Sequence, residues 1–453
     1  MLLRNFAVGL GLMARTAQSI DVTLGDESSV KSAASEVAWN LLTFYSGNNT
    51  GDVPGWLCGA MMGTLIEYWH YTGDESYNDL VRQAIVHQAG EERDLMPQNQ
   101  TRSMGNDDQG FWGLSAMLAA EYVFPDPAED EPQYLELAQA VFNMFASRWD
   151  TVHCGGGLRW QVFDFNIGWN YKNSVSNGCF FNLGARLARY TGNDTYAEWA
   201  EKVWEWETKV GLIGEDWALH DGVTITSSQT CGDDMDLTEW SYNSGIWLHG
   251  SAVMHNYTGA EKWQTRTAGI LEYGLKKFSK DNVINEQYCE SHSICDNDQI
   301  SFKGYYIRWL AGVNILNPGV YTDKIMPLLK STATAAAKAC TGSPTAVLNN
   351  LPAWKGHAGT ACGFAWVPST YDNMYGVPEQ MNALSALYST LDAAPPKSAK
   401  TGGTSTGDPA AGGDDEAKAR TLARITTGDR VGAGFLTTLI LAGCIGGCTF
   451  LIT

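Results

Sequence analysis

Basic residues are scarce in this chain. Thirty Lys and Arg stand against 50 Asp and Glu, a formal net charge of −20. No basic patch of any length occurs, which excludes nucleic acid as a partner. The same acidity disfavours adsorption to anionic membranes and favours solubility. Histidine is scarcer still, at eight residues. No His-Glu-x-x-His motif, glycine-rich nucleotide loop or Gly-x-Ser-x-Gly elbow is present. The glycine run Cys154-Gly155-Gly156-Gly157-Leu158 lacks the Lys-Ser/Thr of a phosphate loop and reads as a turn. The ten cysteines include no Cys-x-x-Cys pair, which argues against zinc. No metal and no cofactor are expected. Strand-like alternation is also scarce.

What is present is a long, apolar chain. Its 453 residues are 44% hydrophobic and 11% aromatic, enough for a large core in one barrel or two domains. Met1-Leu2-Leu3-Arg4, an apolar stretch over 6–13 and Ala17-Gln18-Ser19 have the order of a secretory signal peptide, expected over 1–19. A buried first helix is the alternative. At the other end, 432–453 carries no charge, 418–430 is a polar basic spacer and 410–414 holds small residues. Small site, spacer and apolar tail are the signal for a GPI anchor, with attachment near Gly412 to Asp414. The alternative is a C-terminal membrane helix, against which the lack of a charged cytoplasmic cap counts. Residues 393–417, rich in Pro, Gly, Ser, Thr and Ala, read as a flexible stalk. Residues 418–453 are then spacer and tail. Outside the tail eight cysteines remain, which allows up to four disulfides, with Cys289–Cys295 the one pair suggested. Sequons at Asn48, Asn99, Asn193 and Asn256 fit secretion to the cell surface.

Between 28 and 392 apolar residues recur at helical spacing. Tyr71-Thr72-Gly73-Asp74, Tyr190-Thr191-Gly192-Asn193 and Tyr257-Thr258-Gly259-Ala260 repeat one signal, a glycine helix end beside a new helix start. Amphipathic helices are expected at 29–46, 76–89, 134–149, 195–210, 261–279 and 321–339. Helices apolar nearly all round, rich in Gly and Ala, begin near Trp56, Asp108, Asn177, Asn243, Gln299 and Val377. Outer then inner, six times over, predicts an all-α fold, an (α/α)6 barrel of six inner and six outer helices over 20–392. A right-handed solenoid or an irregular bundle is the alternative.

In such a barrel the inner helices all start at one end. The residues there are polar and aromatic: Trp56, Asn106 to Gln109, Lys172-Asn173, Ser176-Asn177, Trp240, Tyr242-Asn243, Asp298-Gln299 with Lys303, and Tyr375 with Glu379-Gln380. Helix starts add free backbone N–H groups. Amides and carboxylates suit sugar hydroxyls, and aromatic rings suit the apolar sugar face. Asp107-Asp108 is the best acid and nucleophile pair, since glycoside cleavage needs two carboxyls in different protonation states. Equally, Asp-Asp before an apolar run is a common helix cap. Asp233, Asp234 and Asp236 are placed to help bind sugar, whereas Glu91-Glu92 reads as a solvated loop. His70 and His255 read as core or edge residues.

Four motifs then carry a resemblance: Gly105-Asn106-Asp107-Asp108-Gln109-Gly110-Phe111-Trp112-Gly113, Tyr171-Lys172-Asn173-Ser174 with Ser176-Asn177-Gly178, Trp240 to Gly245, and Asp298-Gln299 with Phe302-Lys303-Gly304. Over roughly 20–392 the chain resembles glycoside hydrolase family 76, in its fungal GPI-anchored branch of mannan endo-1,6-α-mannosidases. The resemblance implies an (α/α)6 barrel, Asp107 as nucleophile, Asp108 as general acid/base, retention through a mannosyl-enzyme, and no required metal. Through its motifs it marks Asn106, Gln109, Trp112, Tyr171, Lys172, Asn173, Asn177, Tyr242, Asn243, Asp298 and Lys303 as substrate-binding candidates, beside Trp56, taken from its place at a helix start. It implies α-1,6-mannan or GPI core mannan as donor, cell-wall glucan as a possible acceptor, and a monomer at the plasma membrane and wall. Hydrolysis and transfer both stay open. So do a non-catalytic wall mannoprotein and an inverting (α/α)6 enzyme with widely separated carboxylates.

Overall fold

The computed structural model describes residues 20–47, 55–226, 231, 234–345, 353–412 and 437. The expected signal peptide, Asn48, Asp233 and the spacer and tail over 418–453, Thr437 apart, lie outside them. Among the described residues twelve α-helices follow one another: α1 (Glu27–Leu42), α2 (Gly55–Thr72), α3 (Asn78–Gln88), α4 (Asn106–Tyr122), α5 (Tyr134–Ser147), α6 (Ser174–Thr191), α7 (Asp194–Val210), α8 (Ser241–Thr258), α9 (Glu261–Lys277), α10 (Asn297–Leu316), α11 (Thr322–Lys338) and α12 (Val377–Tyr388). Even-numbered helices are the inner ones. They pack in the order α2, α4, α6, α8, α10, α12, and α12 returns to α2, which closes the ring. The barrel expectation therefore stands, and the solenoid does not. No helix among the described residues is long and apolar enough to cross a membrane.

The two classes of helix differ as the sequence pattern requires. Every residue of α4 from Gln109 to Tyr122 is buried, whereas α7 buries a stripe of Tyr196, Ala200, Val203, Trp204, Trp206 and Glu207. Small residues on the inner helices let neighbours approach. A Cβ at Gly59 would lie 2.8 Å from the Trp112 ring, and one at Gly178 would lie 2.6 Å from Ile246. Gly73, Gly192 and Gly259 take the left-handed conformation that ends α2, α6 and α8. Asn193 then caps α7 by accepting from the Thr195 amide at 3.0 Å.

Strands are confined to the loops. β1 (Tyr171–Asn173), β2 (Gly222–Thr224) and β3 (Met235–Asp236) form one antiparallel sheet beside the starts of α6 and α8. Two small ladders, β4 (Ser279–Lys280) with β5 (Val283–Ile284) and β6 (Cys340–Gly342) with β7 (Ala361–Cys362), stabilise later loops. Three disulfides tie loops together: Cys289–Cys295, as expected, Cys154–Cys231 and Cys340–Cys362. Cys58 and Cys179 stay as buried thiols on α2 and α6, so three bridges form rather than four.

One expectation is corrected. Residues 393–412 are not a free stalk but a strap bound to the barrel. Arg189 donates to the carbonyls of Lys397 and Pro396 at 3.1 and 2.6 Å. The Lys397 amide donates to the Glu121 carbonyl at 2.7 Å. Ser405 accepts from the Leu135 amide at the start of α5, and Asn143 donates to the Pro409 and Ala411 carbonyls. Gly412, at φ +65°, sits where a Cβ would lie 2.7 Å from the Ala140 carbonyl oxygen. Contacts through the backbone need no apolar periodicity, so composition alone gave no sign of them.

Candidate active site

The starts of the inner helices surround a cleft of about 370 Å³, within the ordinary range for a ligand site. Its floor is the first turn of α4. Gly105 precedes that helix, and its amide donates to Asp108 Oδ2 at 2.5 Å. The Asn106 amide donates to the Trp160 carbonyl at 2.8 Å, and the Asn106 side chain donates to the Arg159 carbonyl at 2.9 Å. The helix start is therefore docked on residues 159–160.

This docking turns both acidic side chains to the cleft. Asp107 Oδ1 accepts from the Asp108 amide at 3.0 Å, and its Oδ2 accepts from the Trp160 indole N–H at 2.9 Å. Around the pair stand Trp56, Ser103, Phe111, Trp160, Gln161, Tyr171, Asn173, Asp221, Tyr242, Asp298 and Phe302. The aromatic walls are themselves packed. Tyr242 lies flat on Phe302 with ring centres 3.8 Å apart, and Trp56 leans on Phe111 at 5.3 Å. Tyr171 donates its hydroxyl to Asp221 Oδ2 at 2.6 Å.

The electrostatics follow from four carboxylates in a recess. Burial, then the neighbouring Asp108 charge, pushes Asp107 well above the usual carboxylate range, against the pull of the Asp108 amide, the Trp160 indole and its own amide. Burial pushes Asp108 up to about 6, opposed by the Gly105 amide and assisted by Asp298. Burial likewise lifts Asp221 to about 6, against its bond from Tyr171. Two neighbouring carboxylates in one recess cannot both ionise freely, so the Asp107–Asp108 pair titrates as a unit and loses its protons in two separated steps.

Of the residues singled out by sequence, Trp56, Asp107, Asp108, Tyr171, Asn173, Tyr242 and Asp298 meet at this cleft. The others lie behind it. Asn106 and Gln109 are buried and bound by Arg148 at 2.8 and 2.7 Å. Trp112 is buried, its indole donating to the Gly55 carbonyl at 2.9 Å. The Lys172 ammonium is wholly buried, 3.3 Å from the Asp150 carboxylate and bonded to the carbonyls of Asp150, His153 and Gly156. Asn177 bonds both the amide and the carbonyl of Leu158, at 2.8 and 3.1 Å. Asn243 is fully buried in α8. Lys303 is buried against Glu290 and the Phe364 carbonyl. All seven serve the scaffold rather than the cleft surface. Asp234 and Asp236 are exposed off the cleft, and Asp221 stands in the place expected of them.

Sequence reasoning missed Ser103, Phe111, Trp160, Gln161, Asp221 and Phe302. Phe111 and Phe302 lay inside quoted motifs, each one residue from a neighbour already chosen. Ser103, Trp160, Gln161 and Asp221 sit on loops, where no period marks a facing direction.

A helical barrel whose helix starts gather paired carboxylates between aromatic walls defines a glycoside-cleaving enzyme. The chain belongs to glycosyl hydrolase family 76, whose profile matches residues 29–401. It is 41% identical over 445 residues to the mannan endo-1,6-α-mannosidase DCW1 of Saccharomyces cerevisiae, covering 96% of this chain and 95% of that protein. It is 38% identical over 457 residues to the mannan endo-1,6-α-mannosidase DFG5 of Candida albicans, covering 97% of each. Among solved structures it is similar to Dfg5 from Chaetomium thermophilum in complex with glucosamine, with 43% identity and a TM-score of 0.80, covering 88% of this chain and 99% of that one. An α-1,6-mannanase of Salegentibacter bound to α-1,6-mannotriose shares the fold at 17% identity and a TM-score of 0.63, over 80% of this chain and 98% of that one.

Proposed function

We propose that this protein is a retaining, endo-acting enzyme of α-1,6-linked mannan that hydrolyses the chain or transfers it to another sugar. The observation that carries the reading is the Asp107–Asp108 pair at the start of α4, both on the cleft floor. The names of its full-length relatives supply the substrate class. Glucosamine in the Chaetomium Dfg5 structure shows that a relative of this similarity takes a sugar.

In this reading Asp107 attacks the anomeric carbon while Asp108 gives its proton to the departing glycosidic oxygen. Both Asp107 oxygens accept an N–H bond, which favours the anion. Each still has a lone pair for attack. Asp108 has a fixed donor on Oδ2 alone, and the Asp298 charge favours its protonated form. The mannosyl-enzyme ester is then opened by water or by a sugar hydroxyl, whose proton returns to Asp108. Gln161, Asn173 and Asp221 supply donors and acceptors for sugar hydroxyls, and Trp56 and Tyr242 supply stacking faces. GPI core mannan is the proposed donor and wall glucan the proposed acceptor, for a monomer secreted through residues 1–19 and held at the surface by its C-terminal signal.

The test is cleavage of α-1,6-mannan oligosaccharides by the wild type and D107N. The wild type should release shorter oligomers, and D107N should lose at least about 10³-fold in rate. Equal turnover by both would sink the reading. An added glucan acceptor should yield larger products; reducing sugar alone would leave hydrolysis and remove transfer.

A further inference from the structure

Four consecutive loop residues beside α4 are fixed far more tightly than a surface loop requires. Asn177, from α6, bonds Leu158 on both its amide and its carbonyl. The Arg159 guanidinium meets the Asp150 carboxylate at 2.8 Å and donates to the Trp169 carbonyl at 2.8 Å. The Trp160 amide donates to the Tyr171 carbonyl at 2.7 Å, and the Trp160 carbonyl accepts from Asn106 at 2.8 Å. Gln161 bridges to Gly105. Gly168 closes the far face of the indole: at φ +96° it lies so near that a Cβ would stand 2.6 Å from ring carbon Cζ3. The backbone bonds thus hold residue 160 in place, and the Gly168 main chain backs one face of its indole. In that orientation its N–H points at Asp107 Oδ2.

We propose that Trp160 is a positioning residue for the reaction, its indole N–H favouring the anion of Asp107 and aiming that carboxylate as the nucleophile. A neutral donor bonded to a carboxylate stabilises the anion more than the acid. Trp160 therefore lowers the proton affinity of Asp107 relative to Asp108, against the burial and the Asp108 charge that raise it. The same bond fixes the torsion of the Asp107 side chain, so the attacking oxygen does not have to be ordered at each turnover. Asn177 and Lys172 act one step further back: Asn177 holds Leu158, and Lys172 holds the 150–156 turn that presents Asp150 to Arg159. The proposal rests on the assignment of Asp107 as nucleophile.

The experiment compares W160F, W160A and the wild type on an α-1,6-mannan oligosaccharide across pH. W160F keeps an aromatic ring and loses the N–H. The expected result is a fall in kcat of about 10- to 100-fold with little change in KM. The acid limb of the pH profile should also move to higher pH, because Asp107 then binds its proton more readily. A packing role would let Phe restore what Ala loses. Wild-type kcat and an unmoved acid limb in W160F would overturn the proposal. Should W160F not fold, 3-benzothienylalanine placed at 160 keeps the indole shape with sulfur in place of N–H, and the same two readouts apply. A pH-titrated infrared spectrum of the carboxyl groups, assigned with D107N, reads Asp107 without substrate. Its titration should shift upward in the N–H-less variant, and an unchanged titration would overturn the proposal. If the wild type left α-1,6-mannan untouched, the functional reading would fail while this titration still decided the role of Trp160.

Discussion

At the scale of single residues the cleft is governed by like charges held apart by unlike neighbours. Asp107 has N–H donors on both carboxyl oxygens, Asp108 has one, and Asp298 adds a negative charge on the Asp108 side. Asp108 is pushed up to about 6, chiefly by burial. The acid role needs its proton, so activity should decline as pH rises through that value. D298N removes the charge that helps Asp108 keep its proton. The Asp108 pKa should then fall, and the basic limb of the kcat/KM profile should move to lower pH, with the acid limb in place. A basic limb that stays or moves upward would show that Asp298 does not act on Asp108. The pair itself was legible in the sequence because two acids opened a long apolar helix. Asp221 was not: it lies on the loop before β2, 50 residues from its partner Tyr171, and nothing periodic marks which way a loop residue faces.

Elements show how a sequence motif can be read correctly for importance and wrongly for role. Tyr171-Lys172-Asn173 forms β1, whose pleat sends neighbouring side chains to opposite faces. Tyr171 and Asn173 reach the cleft, and Lys172 turns the other way into the 150–156 loop. Burial lowers the Lys172 ammonium to about 8 against the opposing pull of Asp150. K172M would leave three carbonyls without their donor and Asp150 with Arg159 as its remaining cation. The expected cost is about 2 kcal/mol of unfolding free energy, read as a lowered denaturant midpoint, with kcat reduced through Trp160 and KM less affected. A stable K172M with impaired substrate binding alone would instead return Lys172 to the cleft. The strap over 393–412 is the complementary case. Its Pro, Gly, Ser and Thr content describes a segment without a core of its own, yet Arg189 and Asn143 hold it by its carbonyls. R189A should open 394–405 to limited proteolysis, mapped by mass spectrometry, with kcat unchanged within about twofold, since Arg189 lies near the C-terminal end of α6. Resistance equal to wild type would mean that Ser405 and the later contacts suffice.

For the whole molecule, closing six helix pairs into a ring has a chemical consequence. The starts of α4 and α10 and the loop before β2 converge on one mouth, so Asp107, Asp108, Asp298 and Asp221 share a single cleft. Six-pair periodicity and the glycine signals made the ring legible, but only the closed geometry shows which carboxylates face each other. Four acids permit two chemistries. The adjacent pair belongs to one helical turn, and both carboxyls close on the same spot, Asp107 Oδ1 and Asp108 Oδ2 each within 3.2 Å of where a Cβ of Gly105 would stand. Retaining enzymes place their carboxyls roughly 5–5.5 Å apart, and inverting enzymes roughly 6.5–9.5 Å to admit a water. The pair therefore suits direct attack by Asp107 and two successive inversions at the anomeric carbon. If Asp221 or Asp298 instead activated a water across the cleft, with Asp108 as acid, one inversion would result. Proton NMR of the first product released from an α-1,6-mannan oligosaccharide, taken before mutarotation, separates the two. The α-anomer is expected, and D107N should form neither anomer at an appreciable rate. An initial β-anomer would move the base to Asp221 or Asp298 and leave Asp107 as a neighbour that tunes Asp108.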